Sequence, residues 1–477
     1  MSVWDVALQL EAHRQGRAIA RVGRRYLQID PDAMLLCPLS MAGWDPSLQA
    51  VAVGRLGRRP QVVSCADPRE WDLQLETFSR LRGIIEPWMH QLYADGEGEQ
   101  FPQLVVQSSA AAKLLVGLAH RLAWLNVPDA GKDRKRWSED ARQLGRLLLY
   151  FQQQLDVPGQ QSVVVASSAL NQHFAIGQDS TDHLGALLTW INPPRTGNVA
   201  LAALTAERET LGVRSSPEFD AELSDLVNDF LKVKNGDPSR RSFAQRNIED
   251  LVEEELLDPI VEAVRQALDA IDQLNLEPLP ALEKVRHREL RAFHAHMKYL
   301  AADGHFAKTD KPRAAVRGLT VLEDATEQWQ KAALWGDPIA LAKGRFDGDV
   351  LHGTVNVAAD RPGQIIVRSQ QRLLKVRRGD ELRLMADPQV AALVESIFRD
   401  GSDTVVVMAC EDATPEGELT DWTGSPPSWH MLGISLGKVF RRLAAQPETH
   451  RPDSSVDRPA IPPMSADPVA ALKEFAA

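Results

Sequence analysis

Hydrophobic positions change period several times along the chain. Between Met34 and Ile191 short apolar runs alternate with longer stretches of helical spacing, the pattern of an α/β or mixed layer fold. Met34–Ala42, Gln49–Gly54 and Pro60–Cys65 read as successive strands, the first two joined by the turn-forming Gly43-Trp44-Asp45-Pro46. Asp67-Pro68 offers an N-cap and a first-position proline for a helix that reaches Tyr93. That helix should bury Trp71, Leu75, Phe78, Leu81 and Ile85, with a kink at Pro87. Gln103–Val106 predicts a fourth strand, Ala110–Leu125 a helix, Gly131–Arg136 a charged loop and Ala141–Leu155 a helix. Ser162–Ala166 predicts a fifth strand, and Asp182–Ile191 a short helix that Asn192-Pro193-Pro194 ends.

From Ser216 to Tyr299 the period becomes helical. Ile248, Leu251, Val252, Leu256, Ile260, Val261, Val264, Leu268 and Ile271 form one apolar stripe, and the opposite side is acidic. Asp258-Pro259 predicts that one helix ends and another begins there. Ala281–Leu300 is a further helix, and Ala325–Trp335 closes the expected bundle. Alternation by two returns in Gly344–Cys410, which reads as a small β-barrel. Asp421–Pro427 is polar and turn-rich, Leu432–Leu443 is apolar, and the proline-rich stretch from Gln446 predicts a disordered tail. Ser465-Ala466-Asp467-Pro468 caps a short terminal helix whose Val469, Leu472 and Phe475 share one side, a motif suited to docking a partner. The expected organisation is a basic helix or arm (1–33), an α/β domain (34–195), a helical region (196–340), a barrel with flanking helices (341–443) and the tail (444–477).

Composition narrows the class without naming a reaction. Of 477 residues 44% are hydrophobic and 25% charged, ordinary for a globular protein. A net charge of −11 argues against wholesale binding to nucleic acid but leaves room for one basic face. Three widely spaced cysteines, Cys37, Cys65 and Cys410, argue against a disulfide framework and fit a reducing cytoplasm. No secretory leader or membrane-length apolar run is legible, so no membrane role is expected, and no small-molecule substrate is evident.

The strand and helix order of 34–191 resembles the ribonuclease-H-like core of 3′–5′ exonucleases. In that family two carboxylates on the first strand hold a metal pair that activates water. Here the matching positions in Leu35–Pro46 are Pro38 and Ser40. The second expected acid falls in Gln107–Ala112, which has none, and a third would fall near Asp182 and His183. The resemblance therefore implies a layer without its catalytic carboxylates. An alternative pair, Asp30 and Asp32, flanks a proline after an apolar run and would serve a magnesium- or manganese-dependent nuclease. As a turn, Asp-Pro-Asp is equally ordinary chemistry.

His287, His294, His296 and His305 cluster without the i, i+4 spacing of a zinc helix. Gln178–His183 holds serine, aspartate and histidine, but no nucleophile elbow occurs. No phosphate-binding glycine loop is present, and no cofactor is implied.

The barrel segment carries Arg361, Arg368, Arg372, Lys375, Arg377, Arg378 and Arg383 against Asp380 and Glu381. Such a face neutralises phosphates. Arg377–Leu382, after a Gly-x-Val strand, resembles the small barrels inserted into superfamily-1 helicases of the RNA-decay type. That resemblance implies contact with nucleic acid. Aromatics are scarce, with Phe346 alone between Gly344 and Ser396. Arg14, Arg17, Arg21, Arg24 and Arg25 form a second basic cluster. Together these features predict a non-enzymatic accessory subunit of a helicase- or nuclease-associated system that handles DNA or RNA. The alternatives are the Asp30/Asp32 nuclease and a purely structural protein scaffold.

Overall fold

In the computed structural model, α1 (Val3–Gln15) and the two-residue β1 (Ile19–Ala20) precede a five-stranded mixed sheet. β2 (Met34–Ser40), β3 (Leu48–Arg55) and β4 (Gln61–Ser64) form an antiparallel meander. β5 (Leu104–Val106) and β6 (Val163–Val165) add in parallel on the other side of β2, giving the order β4-β3-β2-β5-β6. β2 is buried along its whole length, as an apolar strand covered on both faces must be. Its residues alternate between two cores: Leu35, Cys37 and Leu39 in one, Met34 and Leu36 in the other. The structure describes residues 3–40, 47–95, 100–126, 131–209, 211–309, 311–357, 363–386, 390–410 and 421–425. The Gly43–Pro46 turn, Arg361, Leu432–Leu443 and the tail with Val469, Leu472 and Phe475 lie outside the described residues.

Helices α2 (Trp71–Ala94), α3 (Ser109–Ala123) and α4 (Lys132–Leu155) cover the Met34/Leu36 face. The opposite face is covered by α5 (Ala166–His173) and, after β7 (Phe174–Ala175) pairs with β1, by α6 (Leu184–Ile191). The chain continues through α7 (Val199–Ala206), α8 (Pro217–Val233), α9 (Pro238–Val252), α10 (Asp258–Asp272) and α11 (Ala281–Ala301). The apolar stripe Ile248–Ile271 packs into the same core as Leu35 and Cys37, while Phe293 and Met297 of α11 join the other. α12 (Pro312–Gly336) and α13 (Pro338–Asp347) lead to six strands. These are β8 (Leu351–Val357), β9 (Gln364–Ser369), β10 (Glu381–Leu384), β11 (Ala391–Asp400), β12 (Asp403–Cys410) and β13 (Asp421–Ser425). They pair antiparallel and close in the order β10-β11-β12-β9-β8-β13, with Trp422 fully buried in the interior. Closure gives each of the six strands a paired neighbour on both sides.

Several boundaries differ from the sequence expectation. Gly131–Arg136 is not a loop: α4 starts at Lys132, because its run of lysines and arginines favours helix and faces water. α2 begins at Trp71, and Asp67 instead caps the turn before it through the Arg69 amide at 3.0 Å. Between α9 and α10 there is no break; a π-turn, Glu253–Leu257, carries the helix through to Pro259. α12 starts thirteen residues before Ala325, and nearly all of that added half is exposed. Gly344–Asp347 is the end of α13, capped at its start by Asp337 and ended by Gly348 at φ +81°, so the barrel begins at Leu351. Asp421–Ser425 is a strand, because Trp422 needs the barrel interior.

One buried polar network ties these parts together where β5 and β6 begin. The Glu289 carboxylate of α11, wholly buried, accepts from the Gln161 amide (2.9 Å), the Ser162 amide (2.9 Å) and the Ser162 hydroxyl (2.7 Å). Gln161 Oε1 accepts from the Gln28 amide at 2.9 Å, and Gln103 donates to the carbonyls of Gln28 and Gln161. Burial pushes the Glu289 carboxyl up, while the donors from Ser162 and Gln161 pull the other way. Glu289→Ala strands three buried donors and should cost about 3–5 kcal/mol in a urea titration. A loss below about 1 kcal/mol would show that α11 is held by apolar packing alone.

His173 is buried and neutral, with Nε2 accepting from the Tyr26 amide (3.1 Å) and Nδ1 donating to the Ala169 carbonyl (2.8 Å). Burial pushes its pKa down. Its contribution is therefore full above the ordinary histidine value of about 6.5 and is lost as pH falls below it. The raised Glu289 works in the opposite sense, so the readout is a difference. His173→Gln should lose less melting temperature than the wild type between about pH 7.5 and about pH 5.5. Equal slopes would refute the assignment.

Candidate functional site

The carboxyl ends of β2, β5 and β6 are where an open α/β sheet places ligands, at the point where strand direction changes about β2. β2 and β5 pair only at Met34–Leu104 and Leu35–Val105 and then separate. Pro38 has no amide to donate there, and its carbonyl accepts from Gln107 Nε2 at 2.9 Å. Gln107 is fully buried, and its Oε1 meets no donor among the described residues. Further along, the Ser40 amide donates to the Val213 carbonyl at 2.7 Å, and Ser40 and Arg214 form a parallel bridge. The chain after α7 thus lies over the end of β2. An open groove of about 870 Å³ runs beside it, lined among others by Ser40, Lys113, His183, Arg208 and Arg214.

Asp182 is committed at this end. Its carboxylate accepts from the Ser109 amide and hydroxyl (both 3.0 Å), the Ala110 amide (3.3 Å) and the Ser167 hydroxyl. It therefore holds the first turn of α3 against α5, with its charge at the positive end of the helix. Its neighbour turns elsewhere. His183 caps α6 through Nδ1 and donates from Nε2 to the Glu209 carbonyl at 3.0 Å. Ser180 hydrogen-bonds Asn171, so the serine, aspartate and histidine of Gln178–His183 face three different partners.

Asp30 and Asp32 sit at the other end of the sheet. The Asp30 carboxylate, buried, accepts from the Asp32 amide (3.0 Å) and the Phe101 amide (3.2 Å), and meets Arg286 at 3.4 Å. Asp32 is half-exposed and faces Arg55 at 3.5 Å. Arg286 lies over the Phe101 ring at 4.1 Å, so this pair closes a turn against α11. The histidines of Val285–Phe306 also disperse. His296 is buried with Nε2 on the Arg146 carbonyl (2.9 Å), His294 packs on Tyr93, and His287 is exposed beside Glu283. Among the described residues no group of three histidines, cysteines or carboxylates converges in a way that could hold a metal ion.

On the barrel, pairing divides the cations. Arg368 meets Asp400 (2.8 Å), Lys375 meets Asp349 (2.9 Å) and Arg383 meets Glu381 (2.7 Å). Arg372, Arg377 and Arg378 are exposed, all on the connection between β9 and β10, and carry no ion pair among the described residues. Asp380 is spent on the Arg377 backbone amide at 2.7 Å. The N-terminal arginines behave differently: Arg14 pairs with Glu11, Arg21 with Asp5, Arg24 with Glu277 and Arg25 with Asp272. Arg24 and Arg25 thereby fasten the N-terminal segment to the end of α10 and the connection to α11, whereas the Arg14 and Arg21 pairs lie within the segment and Arg17 bonds Gln15.

Two barrel residues escaped the sequence reading. Arg399 donates to the Ser402 and Arg372 carbonyls (3.3 and 2.9 Å), and Phe398 exposes half its surface on β11.

Comparison with protein-family models finds no match, and comparisons with curated proteins and solved structures find no significant one.

Asp182→Ala should lower stability by about 1–3 kcal/mol and release the amino end of α3. Faster hydrogen exchange at Ala110 and Ala111 would report the release. Unchanged exchange there would mean that the Ser108 cap suffices.

Proposed function

We propose that the protein is a non-enzymatic accessory subunit of a nucleic-acid-processing system, working beside a helicase or nuclease. The observation that carries this reading is the division of barrel cations. Arg368, Lys375 and Arg383 are each met by a neighbouring carboxylate, whereas Arg372, Arg377 and Arg378 lie exposed on one connection with no ion pair among the described residues. Unpaired, exposed arginines gain little for the fold and are well suited to phosphate oxygens. The ribonuclease-H-like reading of the first sheet draws support from its order. Numbered from β2, the strands run 3-2-1-4-5, with the second antiparallel to the first and the fourth and fifth parallel to it. At the positions where that family carries its acids, this chain has Pro38, Ser40 and Gln107. Asp182 is occupied with the α3 amino terminus. An accessory role follows better from these residues than hydrolysis does.

Full-length protein should bind fluorescent DNA or RNA oligonucleotides in a salt-sensitive manner without cleaving them. The Arg377→Glu/Arg378→Glu double variant should weaken binding at least about tenfold at low salt and flatten the log–log salt slope by about two. Wild-type protein that fails to bind at low salt would sink the proposal. Metal-dependent cleavage that Asp30→Ala abolishes would replace it with the nuclease reading.

A further inference from the structure

The outer face of the barrel ends in an aromatic ring with cations around it. Phe398 lies opposite Val405 on β12, and Val405 lies opposite Arg368 on β9, so the three side chains share one face. Val405 is 2% exposed, whereas Phe398 stays 51% exposed and makes no ring contact among the described residues. At the same end, the Arg399 guanidinium is held over the carbonyls of Ser402 and Arg372, with no carboxylate against it. Arg372 follows in the connection from β9, and neither arginine meets a carboxylate among the described residues. Of the acids here, Asp400 is engaged by Arg368 and Asp403 accepts from Ser402.

We propose that Phe398 is a base-stacking platform and that this end of the barrel takes single-stranded nucleic acid. The inference rests on the nucleic-acid reading above and specifies its substrate. A protein partner would leave the two unpaired guanidiniums, Arg372 and Arg399, to be matched by its own carboxylates, whereas a single strand supplies a π-face and phosphates together. The sheet spacing sets Phe398 and Arg368 roughly 10 Å apart across two strands, and Arg372 and Arg399 at the same end of the barrel supply charge for the phosphates of a strand whose base lies on the ring. A duplex hides its base faces and gains only the charge.

The test compares Phe398→Ala, Phe398→Leu and Phe398→Trp in full-length protein, on a fluorescent single strand and on the same sequence as a duplex. Phe398→Ala and Phe398→Leu should weaken single-strand binding about tenfold, Phe398→Trp should retain it, and none should alter duplex binding or the salt slope. Wild-type affinity in Phe398→Leu would show that apolar area rather than the π-face matters, and would overturn the inference. If Phe398→Ala binds both substrates as the wild type does while Arg377→Glu/Arg378→Glu does not, this inference falls and the proposed function stands. If the wild type binds neither, both fall. A co-purifying protein lost on Phe398→Ala, with no oligonucleotide bound, would assign the ring to a protein interface.

Discussion

The buried carboxylate of Glu289 is the constraint on which the first half of the molecule depends. A wholly buried charge is tolerated only where donors converge on it, and the donors here are backbone amides at the entry to β6. They exist as unpaired groups because β6 is a short edge strand that begins at Val163. α11 therefore cannot slide along the sheet without stranding either the carboxylate or the amides. Through Gln161 and Gln103 the same constraint reaches Gln28 and the Asp30 turn, which sets where β2 starts. Tyr150 adds a second tie, bonding both the Ser162 hydroxyl and the Glu289 carbonyl.

Asp337 plays a comparable part at the approach to the barrel. Buried at the start of α13, it caps that helix and also accepts the Gly23 amide at 2.9 Å. A side chain at Gly23 would collide with Asp337 and Pro338, so the N-terminal segment passes at a distance that only glycine permits. Lys343 on Asp5 and Trp335 on Ser425 complete the junction between the sheet layer, α13 and β13. Polar groups with directional requirements, rather than apolar contact alone, orient the barrel against the rest. Surface charge on the barrel is divided: Arg368, Lys375 and Arg383 each meet a carboxylate, whereas Arg372, Arg377 and Arg378 carry no ion pair among the described residues.

The order of strands and helices in 34–191 was legible apart from α5 and β7, because it lives in local periodicity and in turn residues. So was the apolar stripe of 248–271, since helical spacing marks it whatever it packs against. The candidate site was legible in part. The barrel cations could be counted, but Arg368 and Asp400, or Lys375 and Asp349, meet only through strand pairing. Arg24 and Arg25 likewise read as part of a basic patch, but the fold brings Glu277 and Asp272 beside them. Asp182 read only as the place for a third acid of the exonuclease pattern, because its donors at Ser109 and Ser167 come from the ends of other strands.

By itself the sequence determined the principal strands and helices of 34–191, the helical stripe of 248–271 and the lack of acids at Pro38, Ser40 and Gln107. These depend on residue identity and on neighbours a few positions away. Tertiary structure alone decided which charges stay unpaired, that Asp421–Ser425 closes the barrel around Trp422, and that Phe398 faces water. Each of those outcomes is set by contacts between residues far apart in the chain, and local spacing carries no record of them.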